Sequence, residues 1–417
     1  MAHPLYFDYA ATTPCCEEAI FRMAPFSAEF FGHPSSAHAY GQKAATVIRE
    51  ARRFFAESFG VEPEQIVFTG SGTEADNLAI YGPALTRLST AMKNSESIPQ
   101  QSPRPLGKIL YSAIEHSAVS KTASSLRDFG FDPNPIAVTP EGQIDEMRFN
   151  ALLGPDVQLV SIHLVNNILG TLYPIESLAQ KVKSQAPLSY FHTDAIQAFG
   201  RVELPHSGSA VDMVSISSHK IEGPKGVGAL ILLNRKLVKT LRPLIWGGGQ
   251  EAGLRSGTQN AGLIAGFHAA AQMTLAKRSR YTQHTIALRQ EFQAQLLARG
   301  LLQKTRNSRI HWNSPALAVP HIVNISFPGI QAGPLARLLE ERNCLVSTGS
   351  ACSAGKTQLE PVLVALGATA ALQTSAIRVS FSDRTSREDI HTLAQAIEDS
   401  ILRSDQLSGN IQKRQNS

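Results

Sequence analysis

Short apolar runs alternate with helix-patterned stretches through the middle of the chain. QIVFTG at residues 65–70 reads as a buried strand, and TEADNLAIYGPAL at 73–85 as the helix that follows it. GKILYSAIEHSAV (107–119) repeats the pair, and VQLVSIHLVNN (157–167) predicts a strong strand. LSYFHTDAIQA (188–198), VDMVSISSHK (211–220) and VGALILL (227–233) continue the series. Strands alternating with helices predict an α/β fold whose mostly parallel sheet is covered on both faces. Near residue 265 the pattern changes. Residues 260–301 carry apolar positions near helical spacing and predict one long helix. HIVNISFPG, GPLARLLEERN, LVSTGSACS and the stretch 375–402 then suit a smaller α+β domain. The expected division is a large domain over 16–265 and a small one built from 1–15 and 266–417. Residues 93–106, polar and proline-containing, read as a surface loop, and the polar end from 407 reads as frayed.

Composition narrows the class. In 417 residues, 43% are hydrophobic and 18% charged, the balance of an ordinary globular protein. The net charge of +5 is spread out, with no basic run of the kind that marks nucleic-acid binding. Cys15, Cys16, Cys344 and Cys352 form no CxxC pair, so neither a zinc site nor a disulfide framework is expected. The start, MAHPLYFDYAATTP, has no secretory pattern, and no apolar stretch is long enough to span a bilayer. A cytoplasmic protein with no membrane partner is the expectation, in a reducing compartment.

Three segments carry candidate chemistry. In TGSGTEADN (69–77) a strand ends in a small-residue turn and a helix starts, so unsatisfied N–H groups face any nearby anion. Gly72 and Thr73 make that turn a plausible phosphate cradle, although a simple capped turn is the commoner use of such a segment. Asp194 stands just past an apolar strand, where ligands gather in open α/β sheets. Its carboxylate can hold a protonated ring nitrogen or merely cap a helix, and Gln197 can face the same space. Lys220 follows another strand, with Ser217 and His219 beside it as further phosphate donors. A phosphate turn, a carboxylate for a pyridinium nitrogen and a lysine for an aldehyde are what pyridoxal 5'-phosphate needs.

Eight motifs in fixed order then make the sequence similar to the class V aminotransferase family, in its cysteine desulfurase branch of housekeeping and nitrogenase type. They are FDYAATTP (7–14), FGHPSSAH (31–38), TGSGTEADNLA (69–79), IEHSAV (114–119), HTDAIQAFG (192–200), SSHKIEGPKGVGAL (217–230), GGGQEAGLRSGT (247–258) and STGSACSAG (347–355). The resemblance implies the type I fold of pyridoxal-phosphate-dependent transferases, with a sheet of the seven-stranded kind. It implies Lys220 as the Schiff-base lysine, Asp194 at the ring nitrogen, and Asn167 and Gln197 at the phenolic oxygen. His116 resembles the imidazole stacked on the ring, with a part in proton transfer. Gly72, Thr73, Ser217 and His219 resemble phosphate ligands. Thr258 resembles the threonine that reaches the phosphate of a neighbouring subunit, which implies a homodimer. Arg378, beside Asn167, resembles the fork onto the substrate α-carboxylate.

Cys352 lies among small polar residues and glycines, a composition that predicts a loop free to move. The resemblance makes it the nucleophile that takes sulfur from L-cysteine as a persulfide, releasing alanine, and passes it to a protein acceptor. Iron–sulfur cluster assembly and tRNA thiolation are both open as destinations. Selenocysteine lyase and cysteine-sulfinate desulfinase share the scaffold and are the alternative activities; relative rates on the three substrates separate them. The sequence departs from the family pattern at Ile168, where an acid is common, at His33, where asparagine is usual, and at Ala252, where an arginine often stands. The stretch SAGKTQLEP after Cys352 is long, and the C-terminal extension that housekeeping members use on a scaffold partner is missing. Both leave the acceptor open.

Overall fold

The computed structural model describes residues 4–93, 105–303, 308–348 and 359–415, with side chains described as far as residue 407. Twelve strands are found among them: β1 (Leu5–Tyr6), β2 (Ile66–Thr69), β3 (Lys108–Ser112), β4 (Asp132–Ile136), β5 (Val157–Ser161), β6 (Tyr190–Asp194), β7 (Met213–Ser217), β8 (Gly228–Leu232), β9 (His311–Trp312), β10 (Ile322–Ser326), β11 (Cys344–Leu345) and β12 (Ala376–Ser380). Six helices build the cores and frame the site: α1 (Ala39–Phe59), α2 (Gly72–Lys93), α3 (Ser117–Ser125), α4 (Ala261–Ala298), α5 (Ala332–Glu340) and α6 (Arg387–Gln415).

Seven strands form the main sheet in the order β2-β8-β7-β6-β5-β3-β4. Only β8 runs antiparallel to its neighbours; the other pairings are parallel. The strands are apolar on both sides, and successive residues join opposite layers. Phe68, Val160, Val214 and Ile231 pack into a core with Phe55 of α1 and Phe267 of α4. Val67, Leu159, Met213 and Leu230 pack on the other face with Leu78 of α2. β2, β6 and β7 end at Thr69, Asp194 and Ser217, on the same edge of the sheet. That edge is where open α/β sheets gather ligands.

A second core surrounds the three-stranded sheet β12-β10-β9. Val323, Ile325, Ile377 and Val379 meet Phe292 of α4, Leu335 and Leu339 of α5, and Ile390, Leu393 and Ile397 of α6; Phe7 joins from the N-terminal segment. The 38-residue α4 serves both cores, with Ile264 and Phe267 in the first and Leu288, Phe292 and Leu296 in the second.

Two elements differ from the sequence expectation. The strand read over 157–167 ends at Ser161. Beyond it, the Asn166 side chain accepts from the backbone N–H groups of Ile168 and Leu169 (2.9 and 2.7 Å) and turns the chain. At the other end, the backbone expected to fray stays helical to Gln415. Most of the loop read over 93–106 lies outside the described residues.

Candidate active site

The carboxyl edge of the main sheet opens into a cavity of about 350 Å³. Lys220, His116, Gly72, Thr73, Asn167, Asp194, Gln197, Ser217, His219 and Arg378 all line it. They come from five separate segments of the large sheet and from β12 of the smaller one.

Each side chain is placed by its element. β2 turns at Gly70–Ser71 and α2 starts at Gly72, so the first N–H groups of a 22-residue helix face the cavity edge. Gly72 is required by space: a Cβ there would meet Ile196 Cδ1 at 2.3 Å and Ser217 Cβ at 3.1 Å. Glu74 braces the turn by accepting from Gly70 N (2.8 Å) while pairing with Arg255 (2.8 Å). Ser217 ends β7 with its residue 2% exposed and its Oγ without a partner among the described residues. A helix N-terminus beside an unpartnered hydroxyl is a donor set for a phosphate group.

Asp194 ends β6, 7% exposed, and its Oδ1 accepts from Ile196 N (2.8 Å). Burial pushes its carboxyl up, helped by the Glu115 carboxylate; Ile196 N–H, His116 and His163 pull it back. A cationic partner in the cavity would favour the ionised form. Lys220 follows β7 and donates from Nζ to Ala10 O and Ala11 O, both at 2.7 Å. Burial, then the Arg378 guanidinium, lowers its amine to about 8, which brings the nucleophilic free base within reach of neutral pH. Gln197 donates to the same Ala10 O (2.8 Å).

His116 caps α3 by accepting from Ala118 N at Nδ1 (3.1 Å), and burial holds its imidazole below the usual range. His219 contacts Thr12 Oγ1 (3.1 Å) and is lowered to about 4 by burial and Lys220, so it enters the site as a neutral ring. Arg378, in the middle of β12 and 4% exposed, pairs with Asp8 (2.7 Å) and donates to Asn167 O (2.9 Å).

One candidate residue falls elsewhere. Thr258 is exposed and lines a separate cavity of about 220 Å³ with Thr69, Gly70 and Arg255. Cys352 lies outside the described residues. The departures are accommodated locally: Ile168 is in the first core, His33 is exposed, and Ala252 sits in a turn at φ 57°.

Other residues at the site escaped the sequence reading. Glu115, whose side chain is fully buried, accepts from His163 N (2.6 Å) and lies 3.0 Å from His163 Nδ1. His163 lines the cavity, as do Ala10, Ala11 and Ser71. Glu115 adjoins His116 in IEHSAV, the one local signal for it. Asp76, on α2, is buried 3.7 Å from His192 Nε2, and burial and Asp194 raise its carboxyl well above the usual range.

The chain belongs to the class V aminotransferase family: the aminotransferase class-V model matches residues 5–393, nearly its whole length. Among its curated relatives is the putative cysteine desulfurase IscS 1 of Bacillus subtilis (strain 168), 35% identical over 96% of this chain and 99% of the relative. A solved NifS-like protein superposes with a TM-score of 0.83 at 31% identity, over 95% of this chain and 99% of the other. The structure of SspA in complex with cysteine superposes with a TM-score of 0.76 at 32% identity, over 92% of this chain and all (100%) of the other. The fold is that of the type I pyridoxal-phosphate enzymes. No helix among the described residues is long and apolar enough to cross a membrane.

Proposed function

We propose that the protein is a cysteine desulfurase that works with pyridoxal 5'-phosphate in the cavity at the carboxyl edge of the main sheet. The observation that carries the reading is the convergence of Lys220, Asp194 and the Gly72 turn, with the unpartnered Ser217 hydroxyl, in one cavity with Arg378. The relatives' desulfurase names and the cysteine bound by SspA support the choice of substrate.

When bound, the cofactor supplies an aldehyde for amines and an electron sink that loosens bonds next to the α-carbon. The α2 N-terminus, Thr73, Ser217 and His219 would hold its phosphate, and Asp194 would keep the ring nitrogen protonated. His116, a neutral imidazole, would stack on the ring, and Asn167 and Gln197 would bond its phenolic oxygen. Arg378 takes the α-carboxylate of L-cysteine with N–H groups not used by Asp8 and Asn167. Lys220 would hold the aldehyde, and its amine, lowered to about 8, can take and return the substrate α-proton at neutral pH.

Cys352 completes the reaction. Its thiolate attacks the substrate sulfur, a sulfur–sulfur bond forms, and the carbon–sulfur bond breaks with its electron pair left on the substrate. A proton replaces the sulfur, alanine leaves, and the persulfide on Cys352 passes to a protein acceptor. The enzyme works as a homodimer, with the exposed Thr258 completing the phosphate site of its partner subunit.

Purified protein loaded with pyridoxal phosphate should convert L-cysteine to alanine and, with a thiol reductant, to an equal amount of sulfide. Lys220→Ala should abolish both, losing a factor of at least about 10² to 10⁴. Loaded wild-type protein that makes no alanine from L-cysteine would overturn the reading.

A further inference from the structure

We propose that Asp8 is a positioning residue for the substrate α-carboxylate: it holds the Arg378 guanidinium oriented and charge-balanced before substrate arrives. The inference rests on the assignment of Arg378 to the carboxylate.

A guanidinium with its residue 4% exposed is costly to bury unless it is paired and hydrogen-bonded. Asp8 Oδ1 lies 2.7 Å from Arg378 Nη2, and Nη1 donates to Asn167 O at 2.9 Å. Those two bonds use two of the five guanidinium N–H groups. Three remain, enough for a bidentate carboxylate, and the buried Nε has no partner among the described residues. Asp8 therefore leaves room for the substrate anion while fixing the plane of the group that receives it.

The position of Asp8 does not depend on the ion pair. Its backbone bridges to Ser380 of β12, two residues from Arg378. Ser380 N donates to Phe7 O (2.7 Å), and Ser380 Oγ accepts from Ala10 N (2.9 Å). The carboxylate is thus presented from a backbone already tied to the strand that carries Arg378. The same segment supplies the two carbonyls that hold Lys220 Nζ. One short stretch therefore sets both the amine and the carboxylate receptor. Loss of a charge-assisted bond to a buried guanidinium is worth about tenfold or more in the affinity that depends on its orientation.

The test needs no turnover. Binding of L-alanine and of L-alanine methyl ester to the cofactor-loaded protein is read from the change in cofactor absorption, in wild type, Asp8→Asn and Asp8→Ala. The expected result is a preference for the free carboxylate that falls about tenfold in Asp8→Asn and further in Asp8→Ala. The side-chain oxygen kept by asparagine accounts for the difference between the two. Variants that load cofactor with the wild-type spectrum yet keep or strengthen the preference would overturn the proposal. Because alanine binding is read directly, failure of wild-type desulfuration would strike the activity assignment and leave this result to be judged separately.

Discussion

Ser217 reaches the cavity with a hydroxyl that no group among the described residues satisfies, although its residue is 2% exposed. An unmet buried polar group costs about 1–3 kcal/mol, so a native site carries one where a ligand will meet it. Ser217→Ala removes that cost and one phosphate donor together. The apo-protein should melt at or slightly above the wild-type temperature, while the dissociation constant for pyridoxal phosphate rises about tenfold. Calorimetry of the apo-protein and a cofactor titration check the two halves; a fall in apo stability with unchanged affinity would contradict the assignment. Lys220, Asp194 and the Gly72 turn were legible because each sits at the end of an apolar strand, a local pattern. The Asp8–Arg378 pair was not, because its partners are 370 positions apart. Glu115 and His163, 48 apart, were hidden for the same reason.

β6 shows what strand pairing does to an ionisable side chain. His192 is fully buried between neighbouring strands, with Nδ1 2.9 Å from Ser161 Oγ on β5 and Nε2 2.9 Å from Ser215 Oγ on β7. Burial lowers its imidazole to about 3. An unfolded histidine takes a proton near pH 6.5, whereas this one stays neutral in the folded chain until about pH 3. Between those values the unfolded state binds the extra proton, so stability falls as pH falls, by up to about 1.4 kcal/mol per unit. His321, also lowered to about 3 by burial, adds to the same slope. Urea unfolding of the apo-protein between pH 7 and 5 should show a decline that His192→Asn makes shallower by about one proton. An unchanged slope would mean that His192 is protonated in the fold. The strand itself was legible from its apolar run, but not that His192 meets Ser161 and Ser215 of the neighbouring strands. β5 was overread for a related reason: the apolar pattern continues past Ser161, and the Asn166 turn that ends the strand depends on side-chain bonds invisible to periodicity.

At the scale of the whole molecule, α4 joins two cores, and the cavity lies where the segments of the first meet β12 of the second. The alternation of strands and helices made the large sheet and its two covered faces legible, and the motif order pointed to one site. Residues 1–15 were expected to join 266–417 in the small domain, and Phe7 packs in the core that holds Phe292 and Val379. Thr258, expected to reach the phosphate of a neighbouring subunit, stands exposed outside the main cavity. In the proposed reaction, sulfur leaves L-cysteine on Cys352. A single turnover of the loaded enzyme with one equivalent of L-cysteine and no reductant tests it most directly, with alanine quantified and the Cys352 peptide weighed by mass spectrometry. The predicted result is alanine in proportion to active sites and one added sulfur atom on Cys352. Alanine released as free sulfide forms, with Cys352 unmarked, would contradict it.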